Sequence, residues 1–205
     1  MARPRDFVEA DVVRAARNQF AETGYGGTSV VDLTTATGLG KGSLYGAFGD
    51  KHQLFVLAFE SYCDDAEANV RYELLESPGK AIHRIRAHVI GTAKDIVADT
   101  THRGCLLARS TAELANRDAA VASRALRTFV VLEDLLTQAV QEAQADRDID
   151  PTADARELGG LLLAVLRGME ALGKAGVPRD SLMRTAETAL RTLPPGRGRR
   201  TTTAS

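Results

Sequence analysis

The sequence predicts an all-α protein, and two observations lead to that fold class. Apolar residues recur three and four positions apart in almost every segment of the 205 residues, which is the spacing of one face of a helix. Strand-like alternation of apolar and polar residues is nearly absent. We therefore expect a series of helices separated by short turns that contain glycine, proline and aspartate.

The first helix is predicted over residues 8–23, and Gly24 follows it as a C-terminal glycine. Its apolar face is formed by residues four apart, namely Val12, Ala16 and Phe20. Thr28 or Ser29 is placed to begin the second helix as its N-cap, and Asp32 lies where it can complete a capping box.

The second helix is predicted to end at Gly38, and a third, short helix to cover residues 41–48. Leu44 and Phe48 are four positions apart in this third helix, so they share one face. We expect that face to be buried against the preceding helices.

Longer helices follow the third. We expect them over residues 51–75, 81–99, 105–114 and 118–146, with two more that begin at residues 151 and 181. Asp150 is predicted to cap the helix that begins with Pro151, because proline is favoured at the first helical position. The tail over residues 195–205 lacks apolar periodicity and is predicted to be disordered.

The composition is that of a folded, soluble protein. Hydrophobic residues make up 44% of the chain and charged residues 26%. The net charge of −1 provides no overall attraction for nucleic acid, so any basic surface must be local. The N-terminus lacks an apolar signal segment, and the longest apolar run, LLLAVL, is too short to cross a bilayer. We expect a cytoplasmic protein that does not associate with membranes.

The two cysteines, Cys63 and Cys105, are too few for a disulfide scaffold. The segment HRGC leaves two interpretations of Cys105 open. His102 and Arg103 could lower the pKa of its thiol and make it redox-active, whereas the leucines that follow favour a packed, unreactive thiol. Partner ligands for a metal site are missing from this segment.

The segment GLGKGSLYGAF resembles a phosphate-binding loop at first sight, but both nucleotide templates fail. A P-loop needs glycine five residues before its Gly-Lys pair, and that position holds Thr35. It also needs Ser or Thr directly after the lysine, and Lys41 is followed by Gly42. The dinucleotide-binding fingerprint requires a preceding strand, and the preceding residues are helical.

The same residues fit two helices joined by a tight turn, in which the second helix enters the major groove of DNA. Lys41 would supply charge for the phosphates, Ser43 a short hydrogen-bond donor, and Tyr45 a phenol that can reach a phosphate or a base. Glycines near the start of this helix would let its backbone come close to the DNA.

The segment TSVVDLTTATGLGKGSLYGAFGDKHQLF resembles the helix-turn-helix of TetR-family transcriptional regulators. The resemblance covers residues 7–59, and the rest of the chain resembles the family only in its all-helical layout. The positions that match the family pattern are Thr28, Gly38, Lys41, Gly42, Ser43, Leu44, Tyr45, Phe48, Lys51 and Leu54.

Several positions depart from the family pattern. Thr37 replaces a small alanine before the turn, Gly40 replaces a capping Ser or Thr, and His52 stands where Glu is usual. Gly46 and Ala47 replace larger residues that often touch DNA. We therefore expect fewer large side-chain contacts to the operator.

The resemblance implies a regulator, most commonly a repressor, that binds a palindromic DNA operator as a homodimer. It implies a DNA-binding domain over residues 6–66 and an effector-binding and dimerisation domain over residues 67–194. The implied DNA-contacting residues are Thr28, Ser29, Gly40, Lys41, Gly42, Ser43, Tyr45, Gly46, Ala47 and Lys51. We expect a small, mostly apolar effector to bind among the helices of residues 81–147, without a metal or cofactor.

A stripe of small residues predicts where two copies meet. Gly160, Ala164 and Gly168 recur every four residues, and glycine inside a helix costs up to about 1 kcal/mol, so a close helix approach would compensate. With the helix that begins at residue 181, two copies would form a four-helix interface. Its predicted members are Leu158, Gly160, Leu162, Ala164, Val165, Gly168, Met169, Leu172, Leu182, Ala186 and Leu193.

A helical enzyme, or an interaction scaffold without a DNA function, is the alternative. No acid–base, nucleophile or metal-binding set of residues is readable in the sequence. Both termini carry arginines that could lie on DNA or remain solvated: Arg3, Arg5, Arg197, Arg199 and Arg200.

Overall fold

The computed structural model describes residues 7–99 and 104–196 of the chain, and over these residues it contains helices and no β-strand. The predicted all-α fold is therefore confirmed. The α-helices are α1 (Glu9–Gly27), α2 (Val30–Thr37), α3 (Lys41–Phe48), α4 (Lys51–Arg71), α5 (Ala81–Ala98), α6 (Leu106–Leu114), α7 (Ala119–Ala145), α8 (Ala155–Lys174) and α9 (Arg179–Arg191). A π-helical turn, Tyr72–Glu76, follows α4.

The chain forms two compact units. The N-terminal unit contains residues 7–66 and 104–127 of the described chain, and the C-terminal unit contains residues 67–99 and 128–196. Residues 104–127, which the sequence-based boundaries assign to the second domain, therefore pack with α1 to α4. The reason is that α6 lies against α1, a contact between residues more than eighty positions apart.

Aromatic rings fill the core of the N-terminal unit. The ring of Phe55 makes edge contacts with Phe20 and Tyr25, at centroid distances of 5.1 and 4.9 Å, and it stacks on Phe59 at 5.9 Å. Each such pair contributes about 0.5–1.5 kcal/mol beyond the burial of its area. Val12, Ala16 and Phe20 are all buried, which confirms the predicted apolar face of α1.

In the C-terminal unit α5 packs on α8 and α9, and α8 packs on α9. Their contacting faces bury Ile85 and Val89 of α5, Leu162 and Met169 of α8, and Leu182 of α9. These residues follow the helical spacing seen in the sequence, and burying each large side chain contributes about 1.5–3 kcal/mol. The apolar stripes of α5, α8 and α9 thus contribute to the core of the C-terminal unit, together with buried residues of α7 such as Leu136 and Val140.

The start of α8 differs from the sequence-based expectation. Its N-cap is Asp154, whose carboxylate accepts the N–H groups of Arg156 and Glu157 at 2.8 and 3.1 Å. Asp150 instead closes a turn, because its Oδ1 accepts the N–H and the hydroxyl of Thr152. The expected start at Pro151 is therefore wrong by four residues.

The end of α4 also differs, because the helix passes into a π-helical turn after Arg71 instead of continuing to residue 75. Arg84 of α5 stabilises this turn by donating to the carbonyl oxygen of Leu74 at 2.7 Å. Nδ1 of the buried His88 lies 2.7 Å from Oε2 of Glu73, and this hydrogen bond lowers the pKa of Glu73.

The two cysteines of the chain are not joined to each other. Cys63 is buried and Cys105 is half-buried, with the Tyr62 hydroxyl donating to its Sγ at 3.4 Å. The expectations for His102 and Arg103 lie outside the described residues, as do those for the terminal arginines and for residues 197–205.

No helix within the described ranges is long and apolar enough to cross a membrane. Over the same ranges, no group of three or more His, Cys, Asp or Glu side chains is placed to hold a metal ion.

Candidate nucleic-acid interface

The second helix begins with a complete capping box. The hydroxyl of Ser29 accepts the N–H of Asp32 at 3.1 Å, and the Asp32 carboxylate accepts the N–H of Ser29 at 2.7 Å. Hydrogen bonding by the Ser29 side chain, followed by that of the Ser29 backbone N–H, lowers the pKa of the half-exposed Asp32 carboxyl. The predicted capping box is confirmed, with Ser29 as the N-cap.

A tight turn joins α2 to α3. Gly38 ends α2 with φ of 70° and ψ of 10°, a left-handed conformation that favours glycine. Gly40 then provides the N-cap of α3 without a side-chain hydrogen bond. The predicted bounds of α3, residues 41–48, are confirmed.

The faces of α3 divide as the spacing predicts. Leu44 and Phe48 are buried, at 0% and 7% exposure, which confirms their place in the core. The remaining side of the helix faces outward, with Tyr45 and Ala47 half-exposed. Its exposed members are Lys41, Gly42, Ser43 and Gly46. We call these six residues the α3 surface.

The N-cap glycine of α3 and the two glycines of the α3 surface do not serve packing inside the protein. A Cβ atom added at Gly40, Gly42 or Gly46 would meet no heavy atom within 4 Å. The fold would therefore accept a side chain at each position. Because no side chain projects from α3 at these glycines, another molecule can approach the helix backbone closely.

Thr28 does not share the exposed surface. It is 1% exposed, and its hydroxyl donates to the carbonyl oxygen of Gly24 at 2.6 Å and lies 2.7 Å from Oγ1 of Thr23. This corrects the expectation that the Thr28 side chain contacts DNA, because its hydroxyl is used within the N-terminal unit. Ser29, the next residue, is exposed.

Lys51 lies at the start of α4 with its Nζ 4.5 Å from the centre of the Tyr25 ring. This is a cation–π arrangement. Burial of the Tyr25 phenol, followed by the negative charges of Asp50 and Asp118, raises its pKa. Lys51 is half-exposed, so its ammonium group can also be reached from outside.

The predicted dimer residues fall into two groups. Five of them are buried within the C-terminal unit and offer at most 7% of their surface to a second copy, which corrects the expectation for Leu162, Met169, Leu182, Ala186 and Leu193. The others face outward or are half-exposed: Leu158, Gly160, Ala164, Val165, Gly168 and Leu172. Leu161, which the sequence-based set omitted, is 43% exposed on the same helix. We call these seven residues the α8 surface.

The sequence-based reasoning also missed Arg109 and Glu113, two residues of α6 that contact the backbone of α1. Their spacing of four predicts one face of a helix, but it does not identify what that face touches. Only the folded N-terminal unit brings these side chains next to the start of α2.

Two family models match the chain. The model described as "Bacterial regulatory proteins, tetR family" matches residues 12–58, which include α2, α3 and the turn between them. The model described as "Tetracyclin repressor-like, C-terminal domain" matches residues 81–189, which is more than half of the chain. The two matches thus take in both compact units.

Individual relatives agree with these models. ComR of Escherichia coli strain K12, named an HTH-type transcriptional repressor, is 26% identical over 192 residues, covering 94% of this chain and 91% of ComR. A cysteine mutant of the TetR family transcriptional regulator CifR, solved with 26-base-pair operator DNA, is 29% identical with a TM-score of 0.77, covering 94% of this chain and 100% of that chain. A regulator from Chloroflexus aurantiacus shares the fold at 22% identity and a TM-score of 0.80, covering 92% of this chain and 96% of that one. The chain belongs to the TetR family of bacterial regulatory proteins.

Proposed function

We propose that this protein represses transcription by binding a palindromic DNA operator as a homodimer, and that a small, mostly apolar effector releases it. The observation that carries the proposal is the α3 surface, a short exposed helix held behind a tight turn by two buried residues. A helix in this arrangement fits the major groove of B-DNA, which is about 12 Å wide.

We expect some residues on and near the α3 surface to contact phosphates and others to contact the bases. Lys41 is exposed at the first turn of α3 and would pair with a phosphate. Ser29, at the start of α2, would donate its hydroxyl to a second phosphate. Tyr45 would lie at the edge of the groove, while the methyl group of Ala47 is suited to contact a thymine methyl group. Lys51 would add a further phosphate contact.

The relatives support the same function. ComR is named a repressor, and CifR was solved with operator DNA, in each case for a protein that aligns with at least nine-tenths of this chain. By analogy, we propose that this chain also acts by binding DNA in the cytoplasm and not by catalysing a reaction.

The α8 surface supports the homodimer. Leu161 and Leu172 are 43% and 45% exposed, and no atom lies within 4 Å of a Cβ placed on Gly168. A second copy that covered this surface would remove apolar area from water and could approach the glycines closely. Two copies related by a twofold axis would present two α3 helices to the DNA. This symmetry is the reason to expect a palindromic operator.

The effector would act by linkage. We place its site among the helices of residues 81–147, in the part of the chain matched by the C-terminal family model. An effector that prefers the DNA-incompetent state a hundredfold weakens operator binding by about 2.7 kcal/mol at most. It should raise the melting temperature of the free protein and weaken its DNA binding together.

Selection of DNA from a random-sequence library tests the DNA-binding part directly. The purified protein should enrich duplexes that share one short palindrome and should bind them as a dimer. ATP and NAD should not compete, because neither phosphate-loop template is complete. A library without any enriched sequence, or competition by ATP, would contradict the proposed function.

A screen of small apolar compounds by thermal shift tests the effector part. Compounds that raise the melting temperature are then added to the complex with the selected duplex. Stabilisation of the free protein with unchanged DNA affinity would contradict the proposed coupling.

A further inference from the structure

Helix α1 is interrupted close to the start of α2. Gly24 has φ of 79° and ψ of 173°, which is not helical, although the residues on both sides of it are. In a continuous helix the N–H groups of Tyr25 and Gly26 would donate to the carbonyl oxygens of Ala21 and Glu22. The break at Gly24 therefore affects two backbone hydrogen bonds.

Two side chains of α6 take up all four of these backbone groups. The Glu113 carboxylate accepts the N–H of Tyr25 at 3.1 Å and that of Gly26 at 2.6 Å. Glu113 and Arg109 are four residues apart, so their side chains project from one face of α6. On the carbonyl side, Arg109 Nη1 donates to the carbonyl oxygen of Ala21 at 3.1 Å and to that of Glu22 at 2.8 Å. We call Arg109 and Glu113 the α6 clamp.

The charges of the α6 clamp suit the groups they meet. A guanidinium beside the last carbonyl groups of a helix, and a carboxylate beside free N–H groups, are both favourable for the helix dipole. Hydrogen bonds with one charged partner are about twice as strong as neutral ones. Both side chains are half-buried, so water competes with these bonds only in part.

Gly24 leaves room for the clamp. A Cβ added there would lie 2.8 Å from Nε of Arg109 and 2.9 Å from Oε2 of Glu113, and an L side chain would also be strained at the positive φ. The clamp in this position therefore requires glycine at residue 24. Leu107 and Leu114, which are 0% and 7% exposed, bury other parts of α6 in the same unit.

The segment held by the α6 clamp, Tyr25 and Gly26, comes shortly before the start of α2. Both the N–H and the hydroxyl of Thr28 donate to the carbonyl oxygen of Gly24, at 3.1 and 2.6 Å. Ser29, the exposed N-cap of α2, is the next residue. The position of Ser29 thus depends on a chain of contacts that begins at Arg109 and Glu113.

We propose that Arg109 and Glu113 are positioning residues for DNA binding: from α6 they replace two interrupted backbone hydrogen bonds of α1 and thereby hold Ser29 in place against a phosphate. The proposal rests on the proposed function, because it takes α2 and α3 as the DNA-contacting helices. It extends that function to a helix that contributes no residue to the α3 surface.

Substitutions of the clamp provide the test. The variants are Glu113→Ala, Glu113→Gln, Arg109→Gln and Arg109→Lys. Exposed residues of the same unit supply controls with the same change of charge, namely Glu60→Gln and Arg127→Gln. Binding is measured by fluorescence anisotropy on two probes, a duplex selected by the wild-type protein from a random-sequence library and a random duplex of equal length.

Glu113→Ala should weaken binding to both duplexes about tenfold, as expected for the loss of hydrogen bonds to a charged group. The slope of log affinity against log salt should fall by about one unit if one phosphate contact is lost. Electrostatics alone predicts the opposite sign, because removing a negative charge favours binding to DNA. Glu60→Gln should therefore leave the affinity unchanged or slightly higher.

The milder variants keep the test usable if Glu113→Ala does not fold. Glu113→Gln retains an amide oxygen that can accept one N–H, so its loss of affinity should be intermediate. Arg109→Lys retains the charge and should bind DNA more tightly than Arg109→Gln. Equal affinities for Arg109→Lys, Arg109→Gln and the wild type would overturn the proposal.

Amide hydrogen exchange measures the clamp without DNA. The N–H groups of Tyr25 and Gly26 should exchange faster in the Glu113 variants and at the wild-type rate in Glu60→Gln. Faster exchange with unchanged DNA affinity and salt slope would show that the clamp stabilises α1 only, and the proposal would fall. A wild-type protein that selects no duplex would instead refute the proposed function, while the exchange rates would still report the clamp.

Discussion

His52 and Asp118 form a hydrogen bond that joins the start of α4 to the start of α7, with Nε2 and Oδ2 2.5 Å apart. The other carboxylate oxygen of Asp118 accepts the N–H groups of Ala120 and Val121 at 3.0 and 3.2 Å, and so caps α7. His52 stands where the TetR-family pattern has a glutamate, and a glutamate could not donate to this carboxylate while ionised. The pair therefore depends on the departure from that pattern at His52.

The His52–Asp118 pair predicts how stability depends on pH. The hydrogen bond from His52, followed by that from the Val121 N–H, lowers the pKa of the Asp118 carboxyl below its ordinary value of 3.8. A carboxyl with a lowered folded-state pKa contributes stability above its unfolded pKa and loses it as the pH falls through the folded value. His52→Ala should therefore shift acid unfolding to higher pH and lower the free energy of unfolding at neutral pH by about 0.5–1 kcal/mol.

Urea unfolding followed by circular dichroism between about pH 3 and pH 7 measures both effects. His83→Ala is the matched control, because His83 is an exposed histidine of α5. Identical acid-unfolding curves for His52→Ala and the wild type would contradict this role of the pair.

Lys41→Ala should weaken binding to all DNA sequences alike. Lys41 is the only charged residue of α3 and is exposed at its first turn, so its removal should cost one phosphate contact. The slope of log affinity against log salt should fall by about one unit. Lys94→Ala, which removes an exposed lysine from the C-terminal unit, should leave the slope unchanged. An unaltered slope for Lys41→Ala would remove this lysine from the interface.

Tyr45→Ala should reduce sequence specificity. Tyr45 is half-exposed between the buried Leu44 and the open side of α3, where it can reach a base edge. Binding to the selected duplex should weaken by about 1–3 kcal/mol, and binding to random DNA by less. Tyr72→Ala, at an exposed tyrosine of the C-terminal unit, is the control. Equal losses on both duplexes would assign Tyr45 to the phosphates instead.

Ala164→Phe should produce monomers. Ala164 is exposed on the α8 surface, and a phenyl ring there would hold two copies apart. Light scattering should show the mass of one chain, and operator affinity should fall about a hundredfold or more, because two linked half-site contacts become one. Ala68→Phe adds the same bulk at an exposed position of α4 and should remain dimeric. A dimeric Ala164→Phe protein would move the interface elsewhere.

Gly159→Ala and Gly91→Ala should change stability in opposite directions. A Cβ at Gly159 would lie 2.5 Å from Oγ1 and 2.9 Å from the backbone nitrogen of Thr137, so α7 and α8 would have to separate. The expected loss is about 1–3 kcal/mol. A Cβ at Gly91 meets nothing within 4 Å, so alanine should stabilise α5 by up to about 1 kcal/mol. Thermal unfolding should show a lower melting temperature for Gly159→Ala and a higher one for Gly91→Ala than for the wild type.

Local rules made the candidate DNA surface readable from the sequence. The capping box of Ser29 and Asp32, the left-handed Gly38 and the pair Leu44 and Phe48 each involve residues at most four positions apart. Their conformations are set by the geometry of a single helix turn, so spacing alone predicted α2, the turn and the bounds of α3.

Competition among local signals explains the errors at helix ends. Asp150 and Asp154 are chemically equivalent as caps, and only the first is followed by a proline, which is favoured at the first helical position. In the structure the N–H of Asp150 donates to the carbonyl oxygen of Pro194, more than forty residues away, and the helix starts at the second aspartate. Spacing within one segment contains no information about that partner.

By itself the sequence determined the all-α class, the helix-turn-helix and the apolar stripes, because hydrogen bonds and side-chain faces repeat within each helix. Only the tertiary structure decided that Thr28 is buried, that Leu162 and Met169 lie in the core and not on the α8 surface, and that α6 clamps the interrupted α1. These outcomes depend on which surfaces meet across long stretches of chain, and the free energy of that burial is a property of the packed helices together.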